Sequence, residues 1–302
     1  MSTERWFQFM ATPEANPSEP LVRNVSDTAR WVAVYRAMES ERPDALFHDA
    51  YARRLAGERG EQIAAAAPFH TKHAWTMISR TLLIDELVEQ GVAGGCDMVI
   101  NCAAGLDTRP YRMPLPATLR WVEVDLPGIL DYKEEILKDV APVCRLERFR
   151  CDLADGDARR ELFARLGGEA RRALVITEGL LIYLTPEDVT QFARDLAAQP
   201  VFHDWVFDLA APGLLRMMTR QGVNEPNRQT APFKFAPAEG TAYFEPFGWR
   251  TVSVQPLSKA AARYKRLPGS LRIAAWFPAR HPGNGRRPWS GVCHLRRASG
   301  VS

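Results

Sequence analysis

Between Met98 and Tyr132 the chain sets a small-residue turn, Ala103-Ala104-Gly105, directly after an apolar strand candidate, Met98–Cys102. A second strand candidate, Arg120–Val124, ends at Asp125. A turn without bulky side chains lets backbone N–H groups approach a ligand. An acid about 20 residues on can accept from both hydroxyls of a ribose. Together they describe half of a nucleoside-binding crevice at the carboxyl ends of parallel strands. The turn lacks the open glycine backbone that a pyrophosphate requires, because Ala103 and Leu106 stand where G-x-G-x-x-G has glycine. A nicotinamide or flavin dinucleotide is therefore disfavoured, and a ribose-bearing ligand without phosphate is favoured. S-adenosylmethionine is the common ligand of that kind.

Two further acids follow strand candidates in the same way, Asp152 and Glu178. One acid before a helix reads as an N-cap. Three at successive strand ends read better as a ligand site, since charges on that partly buried edge need partners. Arg80 lies on a predicted long helix with His73 and Met77 at helical spacing, placed to take a carboxylate through paired hydrogen bonds or to form a surface salt bridge. His70 and His73 have no further ligands nearby, so no metal is expected. His203 reads as a hydrogen-bonded core residue. No G-x-S-x-G, G-x-x-x-x-G-K-[ST] or H-E-x-x-H is present, and transfer of a methyl group from a sulfonium needs none of them. The candidates for a catalytic group are His73 and Tyr183.

The elements that must position these residues follow an α/β pattern. Strands are predicted at Met98–Cys102, Arg120–Val124, Cys144–Arg150, Ala173–Thr177 and Val201–Asp208, with two more near Arg250–Val254 and Gly291–Leu295. Helices are predicted at Pro127–Val140, Ala158–Leu166 and Pro186–Ala198, the last capped by Thr185. Ahead of the strands come a helix from Ser26 or Asp27 to Pro43 with Val32, Val34, Tyr35 and Met38 inward, a short one over Phe47–Leu55, and a long one from His70 to Gln90 closed by Gly91. The stretch from Pro212 to Glu245, with four prolines, reads as an insertion. The expected fold is a Rossmann-like α/β sheet. An N-terminal arm and helical cap (1–92) would precede an α/β domain (93–302) carrying an insertion at about 212–245.

The 302 residues carry 46% hydrophobic and 25% charged side chains and a net charge of +3, ordinary for a soluble globular protein and too weakly basic for nucleic acid. The arginine doublets 53–54, 159–160, 171–172, 286–287 and 296–297 read as solvated surface. Five cysteines without C-x-x-C spacing read as reduced, buried thiols of a cytoplasmic protein. No secretion signal or membrane span is expected.

The segments INCAAGLDTRPYR, WVEVDLPGILDYKEEIL, RCDLAD and ITEGLLIYLTPEDV, with RWVAVYRAMESERPDALFHDAYARRLAG upstream, resemble the leucine carboxyl methyltransferase-like family, in its bacterial polyketide carboxyl and O-methyltransferase branch. The likeness runs from about Ser26 to Asp208. It implies a class I methyltransferase fold using S-adenosylmethionine and a small-molecule acceptor. Arg80 would bind the methionine carboxylate, with Ala103 and Gly105 under the methionine part. Asp125 and Leu126 would hold the ribose side, Asp152 and Leu153 the adenine, and Glu178 would lie near the amino group. The family often has glycine at Ala103 and proline at Ala50. The competing readings are a protein C-terminal carboxyl methyltransferase, a nicotinamide-dependent dehydrogenase and a non-catalytic cofactor-binding protein.

Overall fold

The computed structural model describes residues 25–66, 73–220, 232–269 and 285–298. Two sequence runs dominate the centre of the molecule. MVINC forms β1 (Met98–Cys102) and ALVIT forms β4 (Ala173–Thr177), and every residue of both is buried. Such unbroken apolar runs suit strands covered on both faces. Around them lie β2 (Arg120–Asp125), β3 (Arg145–Arg150), β5 (Phe202–Ala210), β6 (Trp249–Pro256) and β7 (Ser290–Arg297). The seven strands follow the order β3-β2-β1-β4-β5-β7-β6. All pairings are parallel except those of β7, which runs antiparallel to β5 and β6. The Rossmann-like expectation is met.

Side-chain alternation feeds two cores. Met98, Ile100, Val122, Val124 and Val175 join Phe163, Phe192, Trp205, Phe244 and Trp249 on one face. Val99, Trp121, Leu174, Ile176 and Val206 join Leu83, Ile84, Leu87 and Val88 on the other. The second group of helical residues belongs to α3 (Ala74–Ala93), which therefore lies on the sheet. The helices α1 (Val25–Ser40) and α2 (Ala52–Ala66) pack on each other, and Ala33, Val34, Leu55 and Ala56 join Leu106, Tyr111 and Ile129 in a third cluster. Their polar edge clamps the turn after β1. Arg36 donates to Leu106 O (2.6 Å) and to Asp49 Oδ2 (2.8 Å), and Thr108 donates to the same Asp49 oxygen (2.6 Å).

Among the described residues the remaining α-helices are α4 (Arg109–Arg112), α5 (Pro127–Leu137), α6 (Gly156–Glu169), α7 (Pro186–Ala197), α8 (Pro212–Arg220) and α9 (Leu257–Arg263). Thr185 caps α7 through a reciprocal pair with Asp188, as its sequence position predicts. No described helix is long and apolar enough to cross a membrane.

Several local expectations are corrected. The second helix spans Ala52–Ala66, not 47–55, because Asp49 is committed to Arg36 and Thr108 and also accepts from Tyr51 N (3.2 Å). The third helix passes through Gly91 and ends at Ala93. A Cβ on Gly91 would come within 3.3 Å of Leu174, so this glycine serves close packing rather than termination. Ser26 and Asp27 lie inside the first turn of α1, and Met38 faces solvent. The proposed insertion opens with the regular helix α8, and its residues 221–231 lie outside the described ones, as do His70 and the N-terminal arm. Arg159 is not surface: it is 4% exposed and grips Asp195 (2.6 Å). Four of the five cysteines are buried and free, and Cys151 is half-buried and free.

Glu123, one of the acids of β2, is fully buried between Lys133 Nζ (2.6 Å) and Arg148 Nε (2.8 Å). Removing one member of such a set strands a buried charge. Glu123→Ala is expected to lower unfolding free energy by ~3–5 kcal/mol in urea denaturation; a loss below ~1 kcal/mol would show that Lys133 finds water or another partner.

Candidate functional site

The carboxyl ends of β1, β2, β4 and β5 carry the polar groups of the site. After β1 the chain turns sharply, with Ala103 at φ 58° and Gly105 at φ 49°. Ala103 N and Ala104 N donate to Val124 O (2.8 and 3.2 Å), which folds the turn back over the end of β2. Alanine in the left-handed region carries a steric cost that glycine would not. Gly105 N then donates to Asp125 Oδ2 (2.7 Å), and Leu126 N donates to Asp125 Oδ1 (2.8 Å). The sequence-predicted pair Gly105 and Asp125 is thus brought together.

Asp125 has no ion-pair partner among the described residues, and burial pushes its pKa up against the pull of those two N–H groups. Each oxygen keeps a lone pair beyond its backbone bond. Leu126, at the start of α5, is exposed (47%) beside it.

A second group forms around Glu178. Arg80 donates from Nε to Glu178 Oε1 (2.9 Å) and from Nη1 to Asp208 Oδ2 (3.2 Å), and among the described residues its Nη2 has no hydrogen-bond partner. Arg109 Nη1 takes the other Glu178 oxygen (2.9 Å) and Asp107 Oδ2 (2.6 Å), while its Nε holds Asp85 (2.6 Å). Gly179, at φ 67°, donates to Asp208 Oδ1 (2.6 Å). Burial works to raise the pKa of Glu178, but Arg109 and Arg80 outweigh it and leave the acid below its ordinary value. Asp107 is driven much further down, its burial overcome by Arg109 and Lys133. Arg80 is therefore a buried ion-pair residue, not a surface one.

Of the other predicted residues, Tyr183 lies within electrostatic reach of Arg80 and Asp208, and the rest make no hydrogen bond to these groups among the described residues. Asp152 is exposed, and its Oδ1 accepts from Ala154 N (2.9 Å). Leu153 is buried, and its carbonyl accepts from Arg159 (2.5 Å). Tyr183 sits in a 3-10 turn (Leu181–Tyr183) with its ring 5.5 Å from that of Phe233. Burial raises its pKa, against the opposing effects of the Thr28 hydroxyl and Arg80. His73 is in a non-helical conformation just ahead of α3, its ring tilted against that of Trp75 at 6.4 Å. It is not on the Arg80 face of a helix, which corrects the predicted spacing. His203 is half-buried beside Asp204 at 3.7 Å, with its Nδ1 unbonded. Sequence reasoning missed Asp107, Arg109 and Asp208. The signal for the first two was the D-T-R run directly after the turn; Asp208 closes the strand candidate Val201–Asp208, an acid at a strand end like Asp125.

The seven-stranded order with one antiparallel strand, and the turn and acids at its carboxyl edge, define a class I methyltransferase-type sheet. A solved structure of a DUF574 family protein from Streptomyces avermitilis shares the fold with a TM-score of 0.55 at 14% identity, over 89% of this chain and 97% of that one. The leucine carboxyl methyltransferase family model matches residues 29–197, more than half of the chain, and the protein belongs to that family. A relative from Parafrankia sp., named "Putative S-adenosyl-L-methionine-dependent methyltransferase", is 28% identical across 84% of this chain and 86% of its own. A relative of the same name from Mycobacteroides abscessus is 30% identical across 72% of this chain and 69% of its own.

The acids of the site make a pH prediction whose sign differs between them. Glu178 and Asp107 are depressed, so their stabilisation is present above the ordinary values of 4.5 and 3.8 and is lost as pH falls through their folded values. Asp125 is raised above 3.8, so its ionisation as pH rises costs folding free energy. Unfolding free energy from urea titrations is expected to fall on acidification below about pH 4.5, and Glu178→Gln is expected to flatten that fall. An unchanged acid limb in the variant would show that Glu178 does not carry it.

Proposed function

We propose that the protein is an S-adenosylmethionine-dependent O-methyltransferase acting on a carboxylate of a small molecule, of the polyketide-like class handled by the family's bacterial natural-product branch. The observation that carries this reading is Asp125. It is a half-buried carboxylate held by Gly105 N and Leu126 N, with no ion-pair partner among the described residues, at the end of the second strand. Its free lone pairs suit the two hydroxyls of a ribose. The Nη2 of Arg80, without a partner among the described residues, suits the carboxylate of a methionine moiety, and Glu178 and Asp208 place negative charge for its ammonium. Ala103 and Gly105 would lie under that part, with Leu126 on the ribose side and Asp152 and Leu153 around the adenine. The chemistry of the donor set therefore fits the cofactor.

When bound, the cofactor supplies a sulfonium-activated methyl group. The chain's part is to hold cofactor and acceptor in line, which needs positioning more than proton transfer. An acceptor carboxylate is already ionised at neutral pH. Tyr183, its pKa raised by burial, stays protonated and donates a hydrogen bond to an acceptor oxygen instead of removing a proton. The segment 1–92 would serve as arm and cap, and 212–245 as the insertion that completes the acceptor side.

Asp125→Ala is expected to weaken S-adenosylhomocysteine binding by ~2–3 kcal/mol in calorimetry, the worth of two hydrogen bonds to a charged group. Arg80→Ala should weaken S-adenosylhomocysteine yet leave adenosine, which has no carboxylate, nearly unchanged. Equal losses for both ligands would mean a disrupted fold, and stabilisation by NAD but not S-adenosylhomocysteine in thermal unfolding would reject the cofactor assignment.

With a carboxylate acceptor, the rate should stay flat from about pH 6 to 9, and His73→Ala should cost little in kcat. An ascending limb near pH 6.5 and a drop of ~10²-fold would assign a base to His73 and a hydroxyl to the acceptor.

A further inference from the structure

Nearly every buried or half-buried arginine in this protein is matched to an acid: Arg36 to Asp49, Arg80 to Glu178, Arg109 to Asp85, Arg148 to Glu123, Arg159 to Asp195 and Arg266 to Glu39. One cleft instead gathers three exposed arginines, Arg216, Arg220 and Arg286. It holds about 340 Å³ and is lined by Gly213, Arg216, Met217, Arg220, Arg286 and Pro288. Its three guanidinium-bearing residues form no ion pair with an acid among the described residues. Arg216 donates only to Gly285 O (3.1 Å).

The close packing that builds this cleft is specified by one residue. A Cβ on Gly213 would lie 2.5 Å from Arg286 O, so only glycine lets α8 rest directly on the 285–288 strap. Gly213 N also donates to Gly285 O (2.8 Å), and Ala211 N to Trp289 O (2.9 Å). This contact brings Arg286 alongside Arg216 and Arg220, which stand at i and i+4 on α8. Like charges at that spacing repel. The helix C-terminus accounts for Arg220 through its dipole, but not for Arg286, which lies on another segment. A bound anion would neutralise all three, and guanidinium groups suit oxyanions through paired donors.

The cleft also has a fixed relation to the site. The helix α8 begins two residues after β5, the strand that carries Asp208, and nine helical residues span roughly 13 Å. We propose that Arg216, Arg220 and Arg286 bind an oxyanion, phosphate or carboxylate, carried by the distal part of the methyl acceptor. This rests on the methyltransferase reading above. It makes the acceptor a doubly polar molecule: a reacting carboxylate at the sheet edge and a second anionic group about one helix length away.

Inorganic pyrophosphate is the probe, titrated into the full chain by calorimetry. Saturable binding to the wild type is expected, weakened at least tenfold in Arg216→Gln/Arg220→Gln/Arg286→Gln, with S-adenosylhomocysteine affinity and thermal unfolding unchanged. Arg145 and Arg250 are exposed and without ion pairs among the described residues, so Arg145→Gln/Arg250→Gln serves as the charge control and is expected to bind as the wild type does. No saturable binding to the wild type, or equal weakening by the control, overturns the site. In turnover assays, pyrophosphate should raise KM for the acceptor and not for the cofactor; binding without that competition overturns the assignment to the acceptor. Loss of S-adenosylhomocysteine binding in the wild type itself would reject the methyltransferase reading, whereas pyrophosphate binding tests the cleft separately.

Discussion

The site depends on a charge set that has left water. Arg109 is 2% exposed and is shared by Asp85, Asp107 and Glu178, and Glu178 passes its other oxygen to Arg80, which reaches Asp208. Buried ions stabilise poorly as pairs, yet removing one member is costly because its partners are left uncompensated. The set therefore works as a lock more than as a source of stability. It ties α3, the turn after β1, the end of β4 and β5 into one geometry, across up to 128 residues of sequence. Any displacement of α3 from the sheet would separate Arg80 from both its acids, so the helix cannot drift while the set stays dry.

Asp125 obeys the opposite logic. It sits two residues beyond Glu123, yet Glu123 is consumed by Lys133 and Arg148 while Asp125 meets only backbone N–H groups. Burial raises Asp125, whereas cations pull Glu178 down. Two carboxylates at strand ends of one sheet are thus driven apart by surroundings alone. The one with satisfied charge holds structure, and the one with unsatisfied capacity is available to a ligand. The short apolar turn makes this possible: Ala103 accepts a left-handed conformation so that Gly105 N points at the carboxylate.

What the sequence made legible is local. The strands Met98–Cys102 and Ala173–Thr177 and the cap at Thr185 are found where periodicity and turn chemistry place them, because each is decided by a few adjacent residues. The partners of buried charges were not legible. Asp208 reads only as the last residue of a strand candidate until β5 is set beside β4, and Arg159 reads as half of a solvated doublet until α6 meets Asp195 on α7. The second helix was misplaced for the same reason, since Asp49 is claimed by Arg36 and by Thr108, 59 residues away. Motif spacing found Asp125, Gly105, Arg80 and Glu178, and only the tertiary structure shows that Glu178 and Arg80 already hold each other.

The two halves of the site also differ in how their residues are fixed. The half facing the proposed cofactor is built from strand ends, whose register is pinned by a buried sheet and an ion network that tolerates little change. The half proposed to face the acceptor begins where β5 gives way to α8 and includes segments held by close backbone contact, as at Gly213. Substitutions there disturb no buried charge. A fold of this kind can keep its cofactor geometry while the acceptor surface changes, which is why the family resemblance is strong over the first two thirds of the chain and weak beyond Asp208. The exposed Arg216 and Arg286 belong to that freer part, and no acid among the described residues takes their charge.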